Sequence, residues 1–240
     1  MASIAAHEVA DSAGHQSPTS ERVRDLFLMG LAVSSGAVDA VAWLGLGSVF
    51  TAFQTGNVVF LGIDAAGAAG PSPVRVVVSL TAFAVGVLLA VAIVKATRGS
   101  GLWPRRVSIA LGVSALAQAA FLGGWMTTSG QPSAVAGDVL IGLSALAMGV
   151  QSAAVMSLGL TGVFTTAATA TLIYLMSDVA GWSPSAIEKE RLIGVLVSLF
   201  AGVAAGAWLF MHARVYAPVL PLIVTVVVIV GASIALKPAR

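Results

Sequence analysis

The segment Val49-Phe-Thr-Ala-Phe-Gln-Thr-Gly-Asn-Val-Val-Phe-Leu-Gly62 is apolar at both ends and polar in its middle. It is too short to cross a membrane, which takes about 20 residues of helix. Gln54, Thr55 and Asn57 carry hydrogen-bonding groups, and Gly56 allows the backbone to leave helical geometry. Polar, glycine-broken backbone at membrane depth is tolerated only where protein buries it or a wet cavity meets it. The segment therefore predicts a short element inside a membrane protein.

The composition of the whole chain is that of a membrane protein with several spans. Of its 240 residues, 58% are hydrophobic and only 9% are charged, whereas soluble domains have about 25% charged residues. The chain has no cysteine, which excludes disulfides, thiolate metal sites and cysteine nucleophiles. Two of the three histidines, His7 and His15, lie in the polar N-terminal region. We therefore expect no metal, no cofactor and no enzymatic activity.

Six segments are long enough to cross a bilayer as helices. Residues 1–24 predict a disordered cytoplasmic tail, residues 25–236 a single membrane domain, and residues 237–240 a cytoplasmic C-terminus. The uncharged run 139–177 is too long for one span and leaves room for a second short element. The predicted spans are 26–46, 76–94, 107–126, 139 to about 159, 192–211 and 215–236.

The two halves of the sequence match when one is shifted by 114 residues. Over residues 40–67, 13 of 28 positions are identical to their partners, which is more than composition alone would produce. The long segments obey the same shift. Repeat 1 (25–127) and repeat 2 (138–236) each consist of a long span, a short element and two more long spans. Internal repeats of this kind are common in transporters.

The basic residues distinguish two topologies. If the short elements re-enter without crossing, the chain has six spans, and ten of its twelve lysines and arginines lie on the side of both termini. If the short elements cross, there are eight spans and the split is seven to five. The positive-inside rule favours six spans with both termini cytoplasmic. Because each half then has three spans, an odd number, the halves have opposite orientations. The predicted fold is an all-α integral membrane protein with six long transmembrane helices and two short re-entrant or broken helices, arranged as two inverted repeats.

Asp39 is the only ionisable side chain well inside the first span. An intramembrane carboxylate is costly and usually faces a bundle interior or a cavity. Asp39 is therefore a candidate proton or cation relay, with helix packing through hydrogen bonds as the alternative. Gln151 and Ser152, in the fourth span, are polar and are candidates to face Asp39.

The polar residues of the first short element are candidate ligands for a solute or ion. Gln54, Thr55 and Asn57 could coordinate it together with backbone groups around Gly56, and the alternative is that these residues only permit a tight helix contact. The second short element offers less polarity at the matching positions, where Thr169 and Thr171 are the candidates.

Several motifs resemble the YoaK-like family of bacterial membrane proteins, which is catalogued as a domain of unknown function. The resemblance lies in Gly36-Ala-Val-Asp-Ala40 and in Thr55-Gly-Asn57, preceded here by Gln54 where the family usually has methionine. Gly149-Val-Gln-Ser-Ala153 is similar to the family's G-x-Q-N-A element, with Ser152 in place of asparagine. Residues 165–172 are similar to its T-T-x-x-T-G-T-L element, with alanine in place of the glycine. The resemblance implies a multi-pass protein of the bacterial inner membrane.

The leading functional hypothesis is a small-solute or ion transporter with a central site between the two short elements. The alternative is a non-transporting membrane protein that acts as a partner or assembly subunit. An intramembrane enzyme ranks third, because no Ser/His or Cys/His pair lies within the spans. The expected partners are the lipid bilayer and an unidentified small solute or ion, with a second copy of the chain left open. Nucleic acid is not expected, because the few basic residues follow the membrane topology.

Overall fold

The computed structural model describes residues 18–95, 101–160, 163, 165–166, 168–179, 181 and 189–236. Within this part of the chain the regular elements are all helical, and six of them are long and apolar enough to cross a membrane. This confirms the predicted order of six long helices and two short ones. The elements are α1 (Pro18–Gly45), α2 (Gln54–Ala65), α3 (Pro73–Val94), α4 (Arg105–Thr127), α5 (Ala134–Met156), α6 (Ala168–Val179), α7 (Lys189–His212), a short 3-10 helix (Arg214–Tyr216) and α8 (Val219–Ala235).

Helix α1 begins at Pro18, seven residues before the predicted start of the membrane domain. The tail predicted for residues 1–24 otherwise lies outside the described residues. The first turns of α1 carry charged side chains that form ion pairs inside the protein. Arg24 donates from Nε and Nη2 to Asp25 Oδ1 at 3.0 and 2.9 Å, and Arg191 of α7 lies 3.6 Å from the same oxygen. These buried charges hold the start of α1 against the start of α7.

Helices α1 and α7 run parallel and pack closely along small residues. The ion contact between Asp25 and Arg191 joins their first turns. Further along, a Cβ on Gly36 would collide with the backbone of Leu199 and Val203, and one on Gly206 would lie 2.7 Å from Ala37 Cα. Small residues at such contacts let two backbones approach, which is how helices associate in a membrane.

Helices α3 and α5 form a second parallel pair of the same kind. Arg75 donates to Asp138 at 3.1 Å near the two helix starts. A Cβ on Gly86 would collide with the backbone at Leu146, and one on Gly149 with the backbone of Phe83. Under the shift of 114 residues this pair exchanges with the pair formed by α1 and α7.

The remaining helix contacts are antiparallel. In α1 and α8, Gly30 lies against Val228 while Ser34, one turn later, bonds to Thr225, one turn earlier. In α4 and α5, Ser114 bonds to the carbonyl of Ala147. Ten residues later, Gly124 of α4 faces Leu140 of α5. Gln118 of α4 also bonds to Thr225 of α8 at 3.1 Å. The directions of the six long helices therefore alternate along the chain, and α1 and α5 are antiparallel.

The basic residues gather at one end of this bundle. That end holds the start of α1, the loop between α3 and α4, the start of α7 and the end of α8. Among the described residues, only Arg75 and Arg214 lie at the opposite end. The basic residues described at the first end are Arg22, Arg24, Lys95, Arg105, Arg106, Lys189 and Arg191.

The first helices of the two halves form the centre of the bundle. In α1 and in α5, 67% of the most apolar stretch is buried, against 22–39% in the other four long helices. Large apolar side chains such as Leu88, Leu116 and Phe200 point outward instead. An apolar exterior around a core joined by small and polar residues is the arrangement expected of a protein surrounded by lipid.

Candidate functional site

Asp39 is bound at the start of the short helix α2. Its Oδ1 accepts hydrogen bonds from the backbone N–H groups of Thr51 and Ala52 at 2.7 and 2.8 Å, and its Oδ2 accepts one from Phe53 at 3.0 Å. The hydroxyl of Thr51 donates to Oδ1 at 3.3 Å. The first N–H groups of a helix have no partner within it and carry partial positive charge. Of the three N–H groups bound by Asp39, that of Phe53 belongs to the N-cap residue of α2, and those of Thr51 and Ala52 belong to the turn that leads into the helix. The buried carboxylate satisfies all three and is stabilised by them.

The chain reaches Asp39 by turning back from the end of α1. Asp39 lies six residues before Gly45, which places it about 9 Å inside that end at 1.5 Å per residue. Arg75, near the start of α3, donates to the carbonyl of Leu46 at 3.1 Å. The start of α3 therefore lies next to the end of α1.

Asn57 joins three parts of this segment. It accepts from the N–H of Phe50 at 3.1 Å and donates to the carbonyl of Phe50 and to Gln54 Oε1, both at 2.7 Å. Ser79 of α3 donates to the Phe50 carbonyl at 2.6 Å, and Gln54 Nε2 donates to the carbonyl of Thr51 at 2.9 Å. Asn57 and Ser79 are fully buried. Gln54 and Asn57, two of the candidate ligands, therefore bond to each other.

Aromatic rings seal the same segment. The ring of Phe50 stacks on Trp43 at 5.0 Å and on Phe60 at 6.1 Å between centroids. A Cβ on Gly56 would lie 2.7 Å from the Phe50 ring, so this position requires the absence of a side chain. Thr55 is exposed on the other side of α2. For Gln54, Gly56 and Asn57, this geometry favours the packing alternative over direct contact with a solute.

The candidates of the second half do not converge on Asp39. Gln151 Nε2 donates to the carbonyl of Leu31, eight residues before Asp39 on α1, and its Oε1 has no partner. Ser152 Oγ donates to the carbonyl of Met148 at 2.7 Å and shares a hydrogen bond with Thr166 at 2.8 Å. The residue of α5 that bonds to the partners of Asp39 is Ser144, which donates to the hydroxyl of Thr51.

The two threonines proposed for the second short element also lie apart. Thr171 is fully buried, like its repeat partner Asn57, whereas Thr169 is exposed, like Thr55. The burial pattern of α2 is thus repeated in α6. Their bounds, Gln54–Ala65 and Ala168–Val179, differ by 114 residues at both ends.

A cavity of about 20 Å³, which is room for about one water molecule, lies between α1, α4, α5 and α8, next to the hydrogen-bonded group of Asp39 and Thr51. Gln118 and Ser144 are its amide and hydroxyl groups. Ser144 Oγ donates to Thr51 Oγ1 at 2.9 Å, which connects the cavity to Asp39 through one side chain. The lining residues are Val38, Val41, Gln118, Phe121, Ser144, Pro218 and Pro221.

Polar side chains from the same helices meet beside the cavity. Gln118 Nε2 donates to Thr225 Oγ1 at 3.1 Å and to Ser114 Oγ at 3.3 Å. Ser34 lies 3.1 Å from the Thr225 hydroxyl. Sequence reasoning did not select Gln118 or Ser144, although Gln118 is the only amide side chain in α4. A hydroxyl inside a span gives no comparable signal, because serine and threonine also bond to their own helix.

No group of three or more histidine, aspartate or glutamate side chains that could hold a metal ion occurs in the described part of the chain.

Comparison with known proteins places the chain in a family. The model of a family described as "Protein of unknown function (DUF1275)" matches residues 27–231. The UPF0700 transmembrane protein YoaK of Bacillus subtilis (strain 168) is 36% identical over 167 residues, which are 68% of this chain and 70% of that protein. No solved structure matches the chain. The family match spans most of the membrane region and confirms the resemblance seen in the motifs, so the protein belongs to the DUF1275 family of YoaK-like membrane proteins.

Proposed function

We propose that the protein is a small-solute or ion permease of the bacterial inner membrane, without enzymatic activity. The observation that carries this proposal is the cavity between α1, α4, α5 and α8. These four helices are the first and last of each half, so the cavity lies where the halves meet. Transporters built from repeats bind their substrates at such interfaces. We therefore place the candidate solute site at the cavity that contains Gln118 and Ser144. Gln54 and Asn57 are less suitable, because their polar groups bond to each other and to the backbone.

We also infer that the two halves are inverted repeats with re-entrant short helices. Three features support this architecture. Helices α1 and α5 are antiparallel, and the two parallel helix pairs exchange under the shift of 114 residues. The start of α3 also lies next to the end of α1, where Arg75 donates to the carbonyl of Leu46. By the positive-inside rule, the end rich in arginine and lysine, which includes Arg22 and Arg24, is cytoplasmic.

Single cysteines test this topology in a chain that has none of its own. We expect Ala68→Cys, after α2, to react with a membrane-impermeant maleimide in intact spheroplasts. Ser185→Cys, in the segment between α6 and α7 and outside the described residues, should react only after permeabilisation. Unmodified protein provides the background signal. Labelling of both cysteines from the same side would exclude inverted re-entrant helices.

Transport is tested with the full chain in proteoliposomes and a panel of labelled anions, cations, amino acids and sugars. Val41 is buried and lines the cavity, so Val41→Phe should reduce flux of the transported solute to the level of protein-free liposomes. Leu116→Phe adds the same ring on the lipid-facing side of α4, where the side chain is 72% exposed, and should leave the flux unchanged. Equal flux with both variants would exclude the cavity as the pathway.

The second candidate is a membrane partner or assembly subunit that transports nothing. The sealed network of Asn57, Gln54 and Ser79 favours it, because a buried network in which each group is bonded gives rigidity without access. This candidate predicts no flux with any member of the panel, in wild type and in both variants, and recovery of the protein in a hetero-complex from native membranes.

A further inference from the structure

The two halves differ at the residue that binds the backbone N–H groups just before the short helix. Asp39 lies at the start of α2, and the matching residue at the start of α6 is Ala153. Ala153 is buried and belongs to the same apolar cluster as Val163 and Leu175, with Ala168 packed against it. Thr166, two residues before α6, bonds to Ser152, the neighbour of Ala153, whereas Thr51, three residues before α2, bonds to Asp39 itself. What is absent from the second half is the carboxylate.

Thr165 marks the place that the carboxylate would occupy. Its repeat partner Thr51 donates its hydroxyl to Asp39. Thr165 is 1% exposed, and its Oγ1 has no hydrogen-bond partner. The hydrogen bond between Thr166 and Ser152, at 2.8 Å, holds the neighbouring residue against α5 directly beside Ala153. A buried hydroxyl without a partner costs roughly 1–3 kcal/mol, so a ligand that accepts from it would be favoured.

We propose that the second half binds a small monovalent carboxylate, of the size of formate, between Ala153, Thr165 and the start of α6. The atoms that distinguish aspartate from alanine are those of one carboxylate group, which is the size of formate. The bound anion would accept from the Thr165 hydroxyl as Asp39 accepts from Thr51. It would also lie at the positive end of α6, where helices favour negative charge.

The chemistry of the first half favours an anion over a cation at this place. There, three backbone N–H groups and one hydroxyl converge on the two oxygens of Asp39. Four donors around one point stabilise an acceptor. A cation in the same geometry would face the hydrogens of N–H and O–H groups, which carry partial positive charge.

This inference goes beyond the proposed function, because neither Ala153 nor Thr165 lines the cavity between α1, α4, α5 and α8. The first half carries its own fixed carboxylate, and the second would bind an exchangeable one from solution. The binding step is tested separately from transport, so the two proposals can fail independently.

The test is thermal unfolding of the full-length protein in detergent, titrated with sodium formate against sodium gluconate at equal ionic strength. We expect a saturable rise of Tm with formate in the wild type, as for any ligand that binds only the folded state. Thr165→Val should raise the half-saturating formate concentration about tenfold or more, because a hydrogen bond to a charged group is worth roughly 1.5–3 kcal/mol. Thr165→Ser retains a hydroxyl and should restore most of the response.

Thr51→Val is the matched control, since it removes the equivalent hydroxyl from the half that has Asp39. Its Tm should be lower, but its response to formate should equal that of the wild type. Absence of a saturable response in the wild type would overturn the proposal, and so would an unchanged half-saturation in Thr165→Val. If Thr165→Val does not fold, Thr165→Ala removes the same hydroxyl with a smaller side chain: a raised half-saturating formate concentration supports the site, and an unchanged one contradicts it. Formate binding without formate flux would support the site, because the site is separate from the proposed transport pathway.

Discussion

Replacing Asp39 by alanine should lower the free energy of unfolding by at least about 3 kcal/mol, because each buried N–H left without an acceptor costs roughly 1–3 kcal/mol. Thr51, Ala52 and Phe53 would all lose the acceptor of their N–H groups. Asp39→Asn keeps one carbonyl oxygen at nearly the same place and should fall between the wild type and the alanine variant. The measurement is denaturant-induced unfolding in mixed micelles, followed by tryptophan fluorescence.

The control for Asp39 is Asp64→Ala, which removes a carboxylate from the exposed end of α2. Surface substitutions of this kind change stability by no more than about 0.5 kcal/mol. If Asp39→Ala and Asp64→Ala lower the free energy of unfolding equally, the hydrogen bonds of Asp39 to the backbone before α2 do not stabilise the protein. The same variants separate the two roles considered for Asp39. A structural cap predicts that folded Asp39→Asn retains its flux, and a relay predicts that this variant folds but loses flux.

The substitution Gly202→Leu should prevent the protein from folding. A Cβ at this position would lie 2.7 Å from the Cα of Val33 and closer still to its carbonyl oxygen. Because the obstacle is backbone, α1 and α7 can only separate. Overpacking of a core costs typically 1–3 kcal/mol, and more where nothing can move. We expect loss of the monodisperse peak in fluorescence-detected size-exclusion chromatography.

Gly149→Leu applies the same change to the other helix pair, where a Cβ would collide with the backbone of Phe83. It should be equally damaging if the two pairs are equivalent. Gly123→Leu is the matched control, since no atom lies within 4 Å of the added Cβ on that exposed side of α4. This variant should elute like the wild type. Normal elution of Gly202→Leu would mean that α1 and α7 do not pack as described.

Much of the fold is predictable from sequence because it follows from hydrophobicity and length. Each long helix coincides with an apolar segment long enough to span the bilayer, and the polar runs between them carry the charges. The start of α1 was less predictable. Its first turns are polar, and they are stabilised where Arg24 and Asp25 meet Arg191, which lies 166 residues after Asp25 in the chain. Such a contact has no local signal.

The candidate site was predictable in part. Asp39, Gln54 and Asn57 were selected because polar groups within the membrane are costly and must have partners. Those partners could not be identified from sequence. Asp39 bonds to backbone N–H groups, which every segment possesses, and Asn57 bonds to Ser79, an unremarkable serine in an apolar span. Gln118 and Ser144 line a cavity that exists only because four helices meet around it.

The sequence by itself determined that the protein lies in a membrane, how many helices are long enough to cross it, and that the halves are related by a shift of 114 residues. Composition and periodicity are sufficient for these, since the bilayer imposes one length and one polarity on every span. The tertiary structure alone decided that α1 pairs with α7, that Asp39 closes α2, and that Thr165 is buried without a partner. These depend on which backbones approach one another, which is decided by packing between residues that are distant in the chain.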